Sequence, residues 1–108
     1  MAARTTRIRI PQNDYGYPLI FTCRDFSESV VDLTGYTVHF KVWEYGKPTT
    51  LLVNGVGVLL DPANGTCKYT IVLGDFPNVG EFQGELEATK VGEVGSYQAL
   101  IVEVTESG

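Results

Sequence analysis

The chain has very few of the residues on which catalytic and metal centres are usually built. Its 108 residues include two cysteines, one histidine, one tryptophan and one methionine. Two cysteines are too few for a closed zinc site or a disulfide framework. The single histidine, His39, lies on the polar side of an alternating segment, where we expect a structural role rather than general-base catalysis. We therefore predict that the protein is not an enzyme and has no catalytic residue, metal site or cofactor.

Positive charge is also scarce. Eight lysines and arginines stand against thirteen aspartates and glutamates, which gives a formal net charge of -5. Neutralising phosphates requires clustered basic residues, and the one basic run contains only Arg4, Arg7 and Arg9. We expect no nucleic-acid partner. We interpret the run as an exposed first strand whose charges discourage edge-to-edge pairing, with contact to an anionic partner as the alternative.

Long hydrophobic runs are absent as well. The opening segment, MAARTTRIRIPQ, has no apolar block after its arginines. It predicts neither a secretory signal nor a membrane span, so we expect the chain to fold in the cytoplasm without a membrane partner. Hydrophobic residues make up 44% and charged residues 19% of the chain, the composition of an ordered globular protein. We predict one domain over residues 1–108, with any disorder confined to residues 1–5.

What the chain does have is alternation. Apolar residues recur at every second position in residues 36–42, 67–73 and 82–88, which is the period of half-buried strands. Turn residues punctuate the sequence between such segments, and twelve glycines and five prolines are present. The predicted strands are residues 6–10, 17–23, 36–45, 49–53, 56–60, 66–73, 81–90 and 96–105. Seven or eight short strands at this spacing predict an all-β, immunoglobulin-like antiparallel β-sandwich.

The turns and the inward rows can be assigned in more detail. Asn54-Gly55 suits a tight hairpin between the fourth and fifth strands, because both residue types tolerate positive φ. Residues 61–65, DPANG, predict a turn with a left-handed exit. The inward rows should contain Phe21, Phe40, Tyr69 and Leu86.

Cys23 and Cys67 provide a check on strand pairing. They should lie close together if residues 17–23 and 66–73 are antiparallel neighbours, as the corresponding strands of such a sandwich are. In a reducing cytoplasm we expect two buried thiols that behave as small hydrophobic side chains, with a disulfide as the alternative.

An acid/base pair or a calcium site is one interpretation of the acidic residues of the seventh strand. Glu81, Glu85 and Glu87 share one side of the strand with Gln83 between them, but alternate residues of a strand lie about 7 Å apart and do not converge on one ion. We interpret them as a solvated face on which Lys41 offsets part of the charge.

Aromatic residues are the remaining candidates for a functional surface. Trp43 and Tyr45 lie at the end of the third strand, and Tyr97 is expected in the same sheet. Exposed aromatic side chains can anchor a protein partner or stack on a sugar ring. We therefore predict partner contacts at Trp43, Tyr45 and Tyr97, with ordinary partial burial under a loop as the alternative.

Four segments together resemble a known family. QNDYGYPLIFTCRD, VDLTGYTVHFKVWEYG, DPANGTCKYTI and VGEFQGELEAT, in that order, are similar to the immunoglobulin-like N-terminal domain of siphophage upper baseplate proteins, the BppU type. The resemblance covers residues 8–104, and its most specific parts are residues 32–40 and 80–87.

The resemblance implies a non-enzymatic attachment domain of a phage or prophage tail or baseplate. Its partners would be other tail or baseplate proteins and further copies in a threefold or sixfold ring, in a virion assembled in the bacterial cytoplasm. Larger members continue into segments that form a collar or hold receptor-binding proteins, whereas this chain ends at Gly108, so we expect attachment without host recognition. A carbohydrate-binding β-sandwich module that uses the same aromatic residues is the alternative function.

Overall fold

Within residues 4–25 and 27–107, the regular structure consists of eight strands and one short 3₁₀ turn. The computed structural model describes residues 4–25 and 27–107, apart from the side chains of Arg4 and Tyr97. Each of the eight predicted strands has a counterpart. The strands are β1 (Arg4–Pro11), β2 (Pro18–Thr22), β3 (Thr37–Glu44), β4 (Leu51–Val56), β5 (Val58–Asp61), β6 (Thr66–Thr70), β7 (Gly80–Lys90) and β8 (Glu93–Thr105), with the 3₁₀ turn at Pro62–Asn64.

The strands form two sheets with the neighbour relations of an immunoglobulin-type sandwich. One sheet has the order β1-β8-β7-β3-β4, and the other has the order β2-β6-β5. An immunoglobulin sandwich has the same neighbours: its second, fifth and fourth strands (B, E and D) lie side by side in one sheet. Its third, sixth and seventh strands (C, F and G) lie in the facing sheet, and the variable type adds an extra strand beside C. Here β4 is that extra strand. The predicted all-β sandwich is confirmed.

One strand pair differs from the predicted antiparallel pattern. β1 runs parallel to β8, with Ile10 opposite Val104, whereas the other strand pairs are antiparallel. A parallel pair needs a long connection between its strands, and nearly the whole domain lies between β1 and β8. The strand at the start of the chain therefore completes the larger sheet.

Aromatic stacking lies at the centre of the core. Phe40 stacks on Tyr69 with ring centroids 4.6 Å apart and on Phe21 at 6.0 Å. Leu86 is also buried, which confirms all four predicted inward residues. Burying a side chain of this size contributes about 1.5–3 kcal/mol. The inward row that begins in β6 ends at Ile71, just after the strand. The prediction that Leu73 continues this row is wrong, because the chain turns and leaves Leu73 exposed.

The predicted hairpin at Asn54-Gly55 is also wrong. β4 continues through both residues and pairs with β3, whereas β5 pairs with β6 in the other sheet. Gly55 lies opposite Phe40, and an ideal Cβ on Gly55 would lie 2.1 Å from Cε1 of Tyr69. Glycine at this position therefore makes room for the Tyr69 ring. The chain crosses between the sheets at Gly57, whose N–H donates to the Val38 carbonyl at 2.8 Å.

The predicted turn at residues 61–65 is confirmed. Pro62–Asn64 forms the 3₁₀ turn, and Gly65 leaves it with a left-handed φ of 73°. The Gly65 N–H donates to the Pro62 carbonyl at 3.0 Å. This turn delivers the chain from β5 into β6.

The two cysteines lie beside each other in the core as free thiols. β2 and β6 are antiparallel, with Phe21 opposite Cys67, which brings Cys23 and Cys67 together on the inward side. A hydrogen bond with Cys67, together with burial, raises the pKa of the Cys23 thiol. Both residues act as small hydrophobic side chains, as predicted. Among the described residues there is no helix with the length and apolar character needed to cross a membrane.

Candidate functional site

The outer side of the five-stranded sheet is rich in charge, and we call it the charged face. Its residues alternate with the buried rows of the same strands, so the predicted two-sided pattern of β3 and β7 is confirmed. The charged face carries Arg7 and Arg9 from β1, Glu103 from β8, Glu81, Glu85 and Glu87 from β7, and His39 and Lys41 from β3.

Ion pairs neutralise much of the charged face. Arg7 Nη1 lies 2.7 Å from Glu81 Oε2, and Arg9 Nε lies 3.3 Å from Glu103 Oε1. The hydrogen bond from Arg7 and its charge lower the pKa of Glu81. These two arginines of the basic run are thus paired with carboxylates of the same sheet, and they lie on β1, an edge strand of that sheet, as predicted.

A shallow depression, which we call the Trp43 groove, lies in the middle of the charged face. Its volume is about 310 Å³, and its lining side chains include Thr5, Trp43, Gln83, Glu85, Ser96 and Ile101. The Trp43 indole Nε1–H donates to Gln83 Oε1 at 3.2 Å. This bond links β3 to β7 and ties the partly buried indole to one wall of the groove.

The carboxylates at the groove are imperfectly neutralised. Burial raises the pKa of Glu85, and the neighbouring Glu87 raises it further, while Lys41 and a hydrogen bond with Ser96 act in the opposite direction. Lys41 Nζ bonds to Glu87 Oε1 at 2.9 Å, so the expected offset by Lys41 is confirmed. Two carboxylates therefore share one ammonium group, which leaves an excess negative charge at Glu85.

The predicted aromatic contacts are partly brought together. Trp43 lies in the groove, and Tyr45, just after β3, is exposed on the same side of the sheet. The Tyr45 hydroxyl donates to Glu81 Oε1 at 3.3 Å. Tyr97 belongs to β8 of this sheet, but its side chain lies outside the described part of the chain. Trp43 and Tyr45 thus flank neighbouring parts of the charged face.

His39 lies on the charged face, in register with Val56 of β4 and Glu87 of β7. It is half-buried. Within residues 4–25 and 27–107, no group of three or more histidine, cysteine, aspartate or glutamate side chains is arranged to hold a metal ion.

The outer side of the three-stranded sheet carries a surface that sequence reasoning missed. Ile20 is 62% exposed, Val58 55% and Leu60 45%, and we call these three residues the apolar face. Ile20 and Val58 both lie opposite Lys68 of the central strand β6. The run VLL in β5 was a signal for this surface, because apolar residues at consecutive positions must point to both sides of a strand.

Comparisons with known proteins give no further guide to the function. Neither a scan against protein-family models nor a search of curated proteins yields a match. The function is therefore inferred from the apolar face, the charged face and the resemblance described above.

Proposed function

We propose that the chain is a non-enzymatic attachment domain that contacts neighbouring proteins in a phage or prophage tail or baseplate. The apolar face is the observation that carries this proposal, because Ile20 and Val58 are exposed on the outer side of one sheet and Leu60 is exposed at the β-bulge next to them. Ile20 and Val58 lie on either side of Lys68, and exposed aliphatic side chains grouped on one side of a sheet can form part of a protein–protein contact. The sequence resemblance to upper baseplate domains supplies the phage context.

The arrangement of the two outer surfaces also supports this role. The apolar face and the charged face belong to different sheets, so they point to opposite sides of the sandwich. A ring of identical copies requires two different contact surfaces on each copy, one for each neighbour. The two faces are suited to that requirement, and both sit on strands rather than on loops, which fixes their shape.

The backbone of β2 offers a further contact. The Tyr17 carbonyl accepts a hydrogen bond from the Ile71 N–H, and the Cys23 N–H donates one to the Gly65 carbonyl. The backbone polar groups that make these bonds therefore point towards β6. Backbone direction alternates along an antiparallel strand, and the Ile20 N–H and C=O therefore point away from β6. An exposed edge of this kind can pair with a strand of a neighbouring protein.

Incorporation into particles tests the proposal. The tagged chain would be expressed in the host strain during induction of the phage or prophage that encodes it, and gradient-purified tails would be analysed by mass spectrometry. We expect the wild-type chain in the tails and Val58→Lys to be depleted at least tenfold. Val91→Lys is the matched control, because Val91 is fully exposed but lies in the turn between β7 and β8, outside both faces. Absence of the wild-type chain from purified tails would reject the proposal, and equal incorporation of both variants would reject the role of the apolar face.

Carbohydrate binding is the second candidate function. The Trp43 groove places an indole beside the Gln83 amide and the Ser96 hydroxyl, which are groups that recognise sugars. A titration that follows Trp43 fluorescence against polysaccharide fragments separates the candidates. Attachment alone predicts no saturable quenching, whereas saturable quenching that Trp43→Ala abolishes would favour the carbohydrate-binding function.

A further inference from the structure

We infer that the Trp43 groove is a receptor for an arginine side chain presented by a partner protein. This inference rests on the proposed attachment function and adds the chemistry that the charged face recognises. It places a planar cation between the Trp43 indole and the Glu85 carboxylate.

Charge is the first argument. The carboxylates of Glu81 and Glu103 each have an arginine partner, whereas Glu85 shares Lys41 with Glu87, to which Lys41 is bonded. Among the described residues, Glu85 is thus the carboxylate of this face without a cation bonded to it. One additional positive charge at this point would complete the pairing of the face. A carboxylate in a partly buried site gains more from such a partner than a fully exposed one does.

The neighbouring groups favour a guanidinium over a compact cation. Gln83 of β7 lies opposite Trp43 of β3, and Glu85, two positions further along β7, lies opposite Lys41. The Trp43 indole and the Glu85 carboxylate are therefore diagonal neighbours within reach of one ligand. A guanidinium can stack on an aromatic ring while it donates two bonds to a carboxylate, which an ammonium group cannot do. Ser96 lines the groove together with Glu85 and adds a hydroxyl group to the site.

The size of the groove limits the occupant to something small. Its volume of about 310 Å³ lies at the lower end of the range for small-molecule sites, about 300–1,000 Å³. The groove is open to solvent, so a side chain that projects from a partner surface can reach it.

Titration with N-acetyl-arginine amide tests this inference on the isolated chain. Two-dimensional ¹H–¹⁵N NMR would follow the Trp43 indole N–H and the backbone amides of Ser96 and Ile101. We expect saturable shifts at these three positions. N-acetyl-citrulline amide has nearly the same shape without the charge, and it should bind at least tenfold more weakly, which corresponds to the loss of one charge-assisted hydrogen bond.

Two variants make the test specific. Glu85→Gln should weaken arginine binding about tenfold, whereas Glu103→Gln, on the same face but paired with Arg9, should leave it unchanged. Thermal melts would establish that both variants are folded. Equal shifts from the arginine and citrulline probes, no saturable shift from either, or an unchanged affinity in Glu85→Gln would each overturn the inference. Because particle incorporation is measured separately, a chain that enters tails but binds no arginine would refute this inference and leave the attachment function standing.

Discussion

Substitution of Gly55 by alanine tests how the core of the sandwich is built. An ideal Cβ at this position would lie 2.1 Å from Cε1, 2.7 Å from Cζ and 2.8 Å from the hydroxyl of Tyr69. The Tyr69 ring has no free space to retreat into, because it stacks on Phe40 at 4.6 Å and donates a 2.5 Å hydrogen bond to Asp75 Oδ2. A methyl group at Gly55 must therefore displace a ring that is held on two sides.

The size of the effect follows from these contacts. Overpacking of a core costs about 1–3 kcal/mol, and losing a hydrogen bond to a carboxylate costs about 1.5–3 kcal/mol. Replacing glycine within a strand returns about 0.5–1 kcal/mol. We expect Gly55→Ala to lower the free energy of unfolding by about 2–4 kcal/mol. Since 1 kcal/mol shifts the Tm of a small domain by about 4–8 °C, the melting temperature should fall by roughly 8–30 °C.

Urea denaturation of a double-mutant cycle measures the source of the loss. Tyr69→Leu removes the three atoms that an alanine side chain would meet, so in that background Gly55→Ala should cost less than about 1 kcal/mol. Gly46→Ala is the control for backbone strain, because Gly46 has a φ of 77° and open space around it; it should cost about 1–2 kcal/mol. If Gly55→Ala costs the same in the Tyr69→Leu background as in the wild type, the packing explanation is wrong.

Three further predictions concern the core. Tyr69→Phe should lower the free energy of unfolding at pH 7 by about 1.5–3 kcal/mol, because Asp75 loses a hydrogen-bond donor. Burial and the bond to Asp75 raise the pKa of Tyr69, so the stabilisation from its protonated hydroxyl is present below the unfolded-state pKa of about 10 and is lost as the pH rises above that value. Urea titrations at pH 7 and 11 should show that alkaline pH lowers the free energy of unfolding less in Tyr69→Phe than in the wild type. An equal decrease in both proteins would count against this coupling. Phe40→Ala should cost about 3–5 kcal/mol in the same assay, and a cost below 2 would mean that the ring is not central. Cys23 and Cys67 should both be unreactive towards a thiol reagent in the native protein and should both react in urea. If neither reacts in urea without a reductant, the two residues form a disulfide.

The strands and their inward rows could be predicted because each depends on local alternation. The apolar period around Phe40 identifies one side of β3 without any knowledge of its neighbours, and the same holds for Leu86 in β7. The closeness of Cys23 and Cys67 also followed once two strands were assigned as antiparallel neighbours. These features need only the period of a strand and the usual order of strands in a sandwich.

Other features depend on contacts between distant parts of the chain. Gly55 carries the local signature of a turn, and only the position of Tyr69 across the core shows that it serves packing instead. The parallel pairing of β1 with β8 joins the two ends of the domain, and no local pattern encodes it. The local sequence allows Val58 to face either side, and only its pairing with Lys68 of β6 places it on the outer side. The apolar face and the Trp43 groove were missed for the same reason, because each combines residues from several strands.

Hydrogen–deuterium exchange provides the most direct test of the attachment function. In the isolated chain, the Ile20 amide points away from β6 and should exchange rapidly, as should other amides at the open edge of β2. The measurement compares peptides covering β2 and β5 in the isolated chain and in purified tail particles. We predict that assembly slows exchange in these peptides at least tenfold, whereas identical exchange in the two states would contradict the assignment of the apolar face as the attachment surface.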